Sequence, residues 1–470
     1  MTDQDLCFRS AVDLAKDIRN GEISPVEVIE NALARIDEVN PKLNSFCFVY
    51  AEEAIEKAHL AESEVQSGNS IGPLHGVPFA IKDFTPTAGK RTTMGSKIFE
   101  HWIPDQNPPV VERLLQAGGI MIGKTTTPEF AHSSFTDSPL WGPTRNPWNF
   151  SCTAGGSSGG SAVAVATGCV PIAEGSDAGG SIRIPAALSG TVGLKPSVGR
   201  IPMGILPTAF DSIFHFGPLS RTVSDAALFL NVTQGPDNRD IMSLPPTVPL
   251  HIPVPNHVDG LRLALCPDQG FFALDDDVEA NTRSSADALR QTGAIVEEVE
   301  LGWSRQIVDD WFLHWAVFFA AYFEQYLNDW QDQMTPEVVR MIEVGQSVKA
   351  TDFKRLEAAR TRQWETLRPI LDSYDALLTA TMALPAPPVG GKDSDYDSND
   401  AAGRYQGLDM TCTLNFVSQC PAVSVPSGFT VGGLPTGLQI VGRRYDEATV
   451  LRVAATLEAI QPWAGLRPPV

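Results

Sequence analysis

The chain has 470 residues, 43% of them hydrophobic and 19% charged, which is enough for a sizeable core in one large domain or in two. Its 35 Lys and Arg against 56 Asp and Glu give a formal charge of −21. An acidic balance of that size repels phosphate backbones and anionic lipid, and so argues against nucleic acid and membrane surfaces as partners.

The first twenty residues carry no basic start followed by an apolar stretch, so no signal peptide is read there. Ser24, Pro25 and Glu27 form a helix start, after which Val26, Ile29, Leu33 and Ile36 line one face of a helical lead. Near residue 71 the texture changes to glycine- and proline-punctuated apolar runs such as "GPLHGVPFAIKDF". From there to about residue 235, strand-like runs ("IMIG", "VGLK") alternate with helices predicted near 108–117 and 162–167. That alternation points to an α/β or mixed α+β core. A proline-rich crossing follows at 244–257. Then come a strand ("LRLALC"), a helix starting near Asp275–Asp277, a strand ("AIVEEVEL"), long helices over 307–329 and 352–371, and a last strand in "GLPTGLQIVG". The polar segment 390–404 reads as a mobile loop. The most apolar run, 311–323, is interrupted by His314 and is too short to span a bilayer. Seven scattered cysteines, an odd count without a C-x-x-C pair, fit a reduced, cytoplasmic protein without structural metal.

Two motif matches fail on context. Gly118 to Thr125 fits the phosphate loop G-x-x-x-x-G-K-[ST], but a helix precedes it and its interior is strand-like, the reverse of what that loop needs. Lys124 then reads as an ordinary residue at a strand end. Gly155 to Gly159 fits the nucleophile elbow G-x-S-x-G, but "NPWNFSCTA" before it is not a buried strand. Among the later histidines (His215, His251, His257, His314), none has a context that singles it out as a base.

A different arrangement draws the glycine loops together. A second serine-bearing loop, "EGSDAGGSIRIPAA", follows some twenty residues after "TAGGSSGGSAV", and Lys82 emerges from the apolar run "GVPFAIK" upstream. A buried lysine loses its proton readily and can serve as a base. A second serine can relay the proton, and glycine-turn amides can bind an oxyanion.

Here the residues resemble the amidase signature enzymes, whose hallmark is a Ser-cisSer-Lys triad. The resemblance lies in "GVPFAIKD", "GKTTTPEFA", "GPTRNPWN", "AGGSSGGSAVAVATG", "GSDAGGSIRIPAALSGTVGLKPSVGRI" and "GPLSRTVSDAALFL", and it extends over nearly the whole chain. It implies a large twisted mixed β-sheet covered by helices on both faces, within one catalytic domain over 1–470. That domain would comprise a helical lead (1–65), a signature core (66–235) and a C-terminal part (258–470) completing the sheet and the cleft. It implies Ser181 as nucleophile, Ser157 as the bridging serine on a cis peptide bond and Lys82 as base. The backbone of Ala178, Gly179, Gly180 and Ser181 would be the oxyanion hole, with Ser158, Asp177 and Arg183 as supports. The implied chemistry is acyl transfer to water, with no metal and no organic cofactor.

The substrate would be a small amide, ester or carbamate, acted on by a monomer or homodimer. Anilides, aryl esters and urethanes are all chemically reachable. Ala131 and Arg360 are the expected pocket residues. Trp311, Trp315, Phe318 and Phe319 wall either a cleft or the core. Arg360 and Asp409 fall near where the glutaminase subunit of tRNA-dependent amidotransferases holds glutamine, which keeps membership of such a complex open as one alternative. A non-catalytic binding relative is a second alternative, disfavoured by the joint presence of Lys82, Ser157 and Ser181. "TTTPEFA" and "AIQPW" read like a stand-alone amidase.

Overall fold

A computed structural model describes residues 3–245 and 247–470. Eleven strands form one mixed sheet: β1 (Phe46–Val49), β2 (Pro78–Lys82), β3 (Ile120–Thr125), β4 (Ile172–Asp177), β5 (Val192–Lys195), β6 (His215–Ser220), β7 (Arg262–Leu265), β8 (Ile295–Glu298), β9 (Ala376–Ala380), β10 (Ala422–Phe429) and β11 (Pro435–Gly442). Their order across the sheet is β1-β3-β2-β4-β6-β5-β10-β11-β9-β7-β8. The strands β3, β2 and β4 run parallel, as do β9, β7 and β8, while the middle of the sheet is antiparallel. Strands from before and after the proline-rich crossing thus share one sheet.

The strand sequences explain why both faces are covered. In β2, Phe79 and Ile81 join one apolar cluster and Ala80 joins another, the alternation a pleated strand imposes. The first cluster takes in helices Ala11–Arg19, Pro109–Gln116, Val223–Thr233, Asp276–Gln291 and Glu447–Ile460. The second takes in helices Pro25–Leu43, Ala51–Gln66 and Gly159–Ala166. Local signals set the ends: Ser24 accepts a hydrogen bond from Val26 N–H ahead of Pro25, and Asp275 accepts from Asp277 N–H.

The long helix predicted at 307–329 is Gln306–Phe323, followed by short turns and a one-turn helix at Leu327–Trp330. The 352–371 prediction corresponds to helix Ala350–Ser373. The segment 390–404, expected to be a free loop, is tied down instead. It contains a 3₁₀ turn (Asp393–Tyr396), Lys392 pairs with Glu337 at 2.7 Å, and Asp397 pairs with Arg305 at 2.7 Å. Among the described residues, no helix is long and apolar enough to cross a membrane.

Candidate active site

The parallel pair β2 and β4 brings the site together. Their register, Phe79 beside Ile172 and Ala80 beside Ala173, places the ends of both strands at the same edge of the sheet. Lys82 closes β2, and Ser176 and Asp177 close β4. Between them lies the glycine-serine segment leading into helix Gly159–Ala166, whose Gly156–Ser157 peptide bond is cis.

Lys82 is 0% exposed. Its Nζ donates to Ser157 Oγ at 2.6 Å and to Ser176 Oγ at 3.0 Å, and it forms no ion pair among the described residues. Burial strips the ammonium of hydration and brings its pKa down to about 7, although Glu174 and Asp177 pull the other way. Glu174 is itself turned toward the strand backbone: its carboxylate accepts from Lys82 N–H at 3.0 Å and from Thr85 Oγ1 at 2.9 Å. Burial raises its pKa, against the attraction of Lys82.

Two other lysines are as deeply buried. Lys195 Nζ donates to Cys420 O at 2.9 Å, and Lys124 Nζ is spent on Thr85 O, Thr87 and Thr92. Lys124 does lie at the end of β3, as expected, but it is not an ordinary residue there, because it fills a buried polar pocket. Of the three, Lys82 alone meets serine hydroxyls.

The loop after β4 carries Ser181, and a buried carboxylate shapes it. Asp177 accepts from Gly180 N–H at 2.9 Å and from Ile182 N–H at 3.3 Å. Arg183 clamps both Asp177 oxygens at 2.9 Å. The remaining guanidinium N–H groups reach Thr411 O, Gln439 Oε1 and Asn415 Oδ1 at 3.1, 2.6 and 2.6 Å. Burial opposes ionisation of Asp177, yet the Arg183 charge and hydrogen bonds, with Asn415, outweigh it and hold the carboxyl well below its usual range. Asn415 and Gln439 carried no local signal in the sequence.

Gly180 has φ +130°, a backbone state that excludes side chains. Because its N–H is occupied by Asp177, the four-residue oxyanion hole implied by the resemblance narrows. Of the four residues expected there, Gly180 is thus the one whose amide is already taken.

Ser158 N–H donates to Ser181 O at 3.1 Å, and Ser158 Oγ donates to Ser176 O at 3.4 Å, so this serine staples the two loops. The hydroxyls of Ser157 and Ser181 do not hydrogen-bond to one another in this structure. No histidine is hydrogen-bonded to a serine hydroxyl among the described residues. His215 contacts Asp177 O and Ser418 O, and burial together with Lys195 pushes its pKa down to about 3.

Ser181 opens into a cleft of about 200 Å³. Its apolar wall includes Ala131, Ile184, Trp311, Trp315 and Met341. Trp311 and Trp315 thus line the cleft, Trp315 being at the same time a buried member of the aromatic core that holds Phe318 and Phe319. Its lining also carries five carboxylates (Asp309, Glu337, Asp393, Asp397, Asp409) and the guanidinium of Arg340. Glu337 is paired with Lys392, and Asp309 and Asp397 with Arg305, which leaves Asp393 and Asp409 outside the ion pairs among the described residues.

Arg360 does not line this cleft, which corrects the pocket expected from sequence. Its guanidinium is engaged elsewhere, donating to Phe416 O at 2.9 Å and Ser212 Oγ at 2.8 Å. Asp409, expected beside it, stands in the cleft and accepts from Ser134 Oγ at 3.2 Å. No group of three or more His, Cys, Asp or Glu side chains placed to hold a metal ion occurs among the described residues.

A family model described as Amidase matches residues 27–451. The chain belongs to the amidase signature family. Its activity class is accordingly hydrolysis of amide C–N bonds. It is 38% identical to an acylamidase of Rhodococcus erythropolis, over 100% of this chain and 98% of the relative. It is 36% identical to a glutamyl-tRNA(Gln) amidotransferase subunit of Chloroflexus aggregans, over 95% of each chain. Among solved structures it resembles a bacterial aryl acylamidase of the amidase signature enzymes, with a TM-score of 0.91, 31% identity and 97% of each chain covered. The fold is that of this family.

Proposed function

We propose that the enzyme cleaves apolar and aryl amides as a stand-alone hydrolase, through an acyl-enzyme on Ser181 served by a Ser157–Lys82 relay. The observation that carries this reading is the bond from Lys82 Nζ to Ser157 Oγ at 2.6 Å, made by a lysine that is fully buried and free of ion pairs among the described residues. With its pKa brought down to about 7, such a lysine is about half neutral at pH 7 and mostly neutral above it, and in that form it can accept a proton.

In the proposed sequence Ser181 Oγ attacks the amide carbonyl carbon while its proton passes to Ser157, whose own proton passes to Lys82. The relay requires the Ser181 hydroxyl to meet Ser157 at the moment of attack, and hydrogen bonds of this kind tighten on substrate binding. The carbonyl electrons move onto oxygen, where the amides left free in the turn stabilise them. Collapse of the adduct expels the amine, which takes the relayed proton, and water repeats the sequence on the ester to release the acid. Esters and urethanes present the same carbonyl to the same turn and fall within reach.

The cleft supports an apolar substrate by its wall, and Asp393 and Asp409, the lining carboxylates outside its ion pairs, disfavour a carboxylate-bearing one. The names of the acylamidase and aryl acylamidase relatives agree with this choice. We read the chain as one catalytic unit that acts without a partner protein. The test is turnover of a chromogenic anilide and an aryl urethane by the purified chain alone, with Ser181→Ala alongside. Wild-type turnover abolished by the substitution is expected. Inactivity of the wild type on all amides without partners would favour the amidotransferase reading.

A further inference from the structure

Two side chains from distant parts of the sequence take the backbone carbonyls of the turn that leads to Ser181. Trp311 Nε1 donates to Ala178 O at 3.0 Å, and Thr411 Oγ1 donates to Gly179 O at 2.6 Å. Thr411 has a single hydroxyl proton, and Asp409 Oδ1, at 2.9 Å, is the more distant acceptor. A peptide unit is planar and trans, so its N–H points opposite its C=O. Anchoring the Ala178 carbonyl therefore fixes where the Gly179 N–H points. Anchoring the Gly179 carbonyl likewise fixes the Gly180 N–H, which meets Asp177 Oδ1 at 2.9 Å. Two of the three peptide planes between Ala178 and Ser181 are held from outside the loop.

The glycines at 179 and 180 leave space for this. A Cβ on Gly179 would lie 2.3 Å from Trp311 Cζ2, and one on Gly180 would lie 1.8 Å from Thr411 Oγ1. Gly179 does not adopt a positive φ, so its requirement is clearance for the indole. The same indole lines the substrate cleft and stacks on Trp315, with ring centres 6.0 Å apart.

We propose that Trp311, assisted by Thr411, is a positioning residue that holds the Ala178–Gly179–Gly180 turn in its oxyanion-binding orientation. The wall of the cleft and the oxyanion donors then form one mechanical unit. A substrate group seated on the Trp311 ring bears on the side chain that aims the Gly179 N–H. Well-fitting aromatic groups thereby raise kcat as well as lowering KM. This inference rests on Ser181 being the nucleophile.

Trp311→Phe keeps an aromatic ring in the wall and deletes the N–H donor. Losing a direct oxyanion donor costs ~10²–10³ in kcat, so losing the group that aims one is expected to lower kcat by about ten- to a hundredfold. KM should change by less than about threefold. Affinity for a trifluoromethyl ketone, which forms a tetrahedral oxyanion on serine, should fall by the same factor as kcat/KM. Affinity for the amine product should stay constant.

Thr411→Val should lower kcat in the same sense and Thr411→Ser should restore it, a pair that also serves if Trp311→Phe does not fold. An unchanged kcat with a raised KM in Trp311→Phe would reduce Trp311 to a cleft wall and overturn the proposal. So would a loss of kcat without a matching loss of ketone affinity, or a Thr411→Val defect that Thr411→Ser does not repair. Ser181→Ala separates the two readings. If it is dead while Trp311→Phe keeps full kcat, only the positioning role fails. If it turns over substrate, the nucleophile assignment fails with it.

Discussion

Replacing Lys82 with Met should abolish activity and at the same time remove a pH dependence from the stability of the fold. Lys82 is fully buried, and its pKa falls from 10.5 to about 7 because burial penalises the ammonium form. At 1.36 kcal/mol per pH unit, that difference corresponds to about 5 kcal/mol. The sign follows from proton counting. Between about pH 7 and 10.5 the unfolded chain keeps the Lys82 proton and the folded chain has released it. The unfolded state binds more protons throughout that window, so the Lys82 contribution to stability rises with pH across it. Below pH 7 the full cost of holding the ammonium in the protein is present. Methionine fills the same space without a titrating group. The two hydrogen bonds to Ser157 and Ser176 are lost, at roughly 1 kcal/mol each. Urea unfolding of both proteins from pH 7.5 to 9.5 is the assay. Buried Lys195 contributes equally to both proteins and cancels in the difference, whereas loss of Lys82 lets burial raise the Glu174 carboxyl further, which makes the variant's stability fall with pH and widens the difference in the same direction. The wild-type curve should be steeper than that of Lys82→Met by at least about 1.4 kcal/mol per pH unit. Parallel curves would refute the claim that Lys82 is held neutral by burial.

Further outcomes follow from the same geometry. kcat/KM of the wild type should fall on the acid side of about pH 7 with a one-proton slope, because protonated Lys82 cannot accept a proton; a flat acid limb would contradict its role as base. Arg183→Met leaves Asp177 charged, buried and unpaired, and should cost about 3–5 kcal/mol in urea unfolding at pH 7; a loss below about 1 kcal/mol would refute the clamp. Because the Asp177 carboxyl sits below its usual range, the clamp's contribution should be present at neutral pH and fade as pH falls through the acid range. An anilide bearing a carboxylate should show a lower kcat/KM than its uncharged counterpart, by a ratio that narrows at high salt, because Asp393 and Asp409 line the cleft outside its ion pairs; equal rates would refute the electrostatic reading.

What the sequence made legible was local in character. The apolar run before Lys82 and the alternation of strands and helices announced β2 and the mixed sheet, since periodicity is set by neighbours in the chain. The serine loops were visible as glycine-rich turns. Assigning different tasks to Ser157 and Ser181 needed the family resemblance, because both loops fit equally well as plain turns. Features fixed by contacts across the fold stayed hidden. Arg360 does not line the cleft, because the helix Ala350–Ser373 directs it toward Phe416 and Ser212. The 390–404 segment looks like free chain until Arg305 and Glu337 are brought beside it. Asn415 and Gln439 reach Arg183 across more than two hundred residues, and no local pattern marks them. Trp311, Trp315, Phe318 and Phe319 share one helix, and only the packing around it shows that Trp311 faces the cleft, that Phe318 and Phe319 lie in the core, and that Trp315 belongs to both.

The central claim is that Ser181 carries the acyl group. Rapid acid quench of the enzyme with a slowly hydrolysed aryl ester, followed by proteolysis and mass spectrometry, tests it directly. The account predicts one acyl group on the peptide containing Ser181, absent in Ser181→Ala. An adduct on Ser157, or turnover by Ser181→Ala at the wild-type rate, would contradict it.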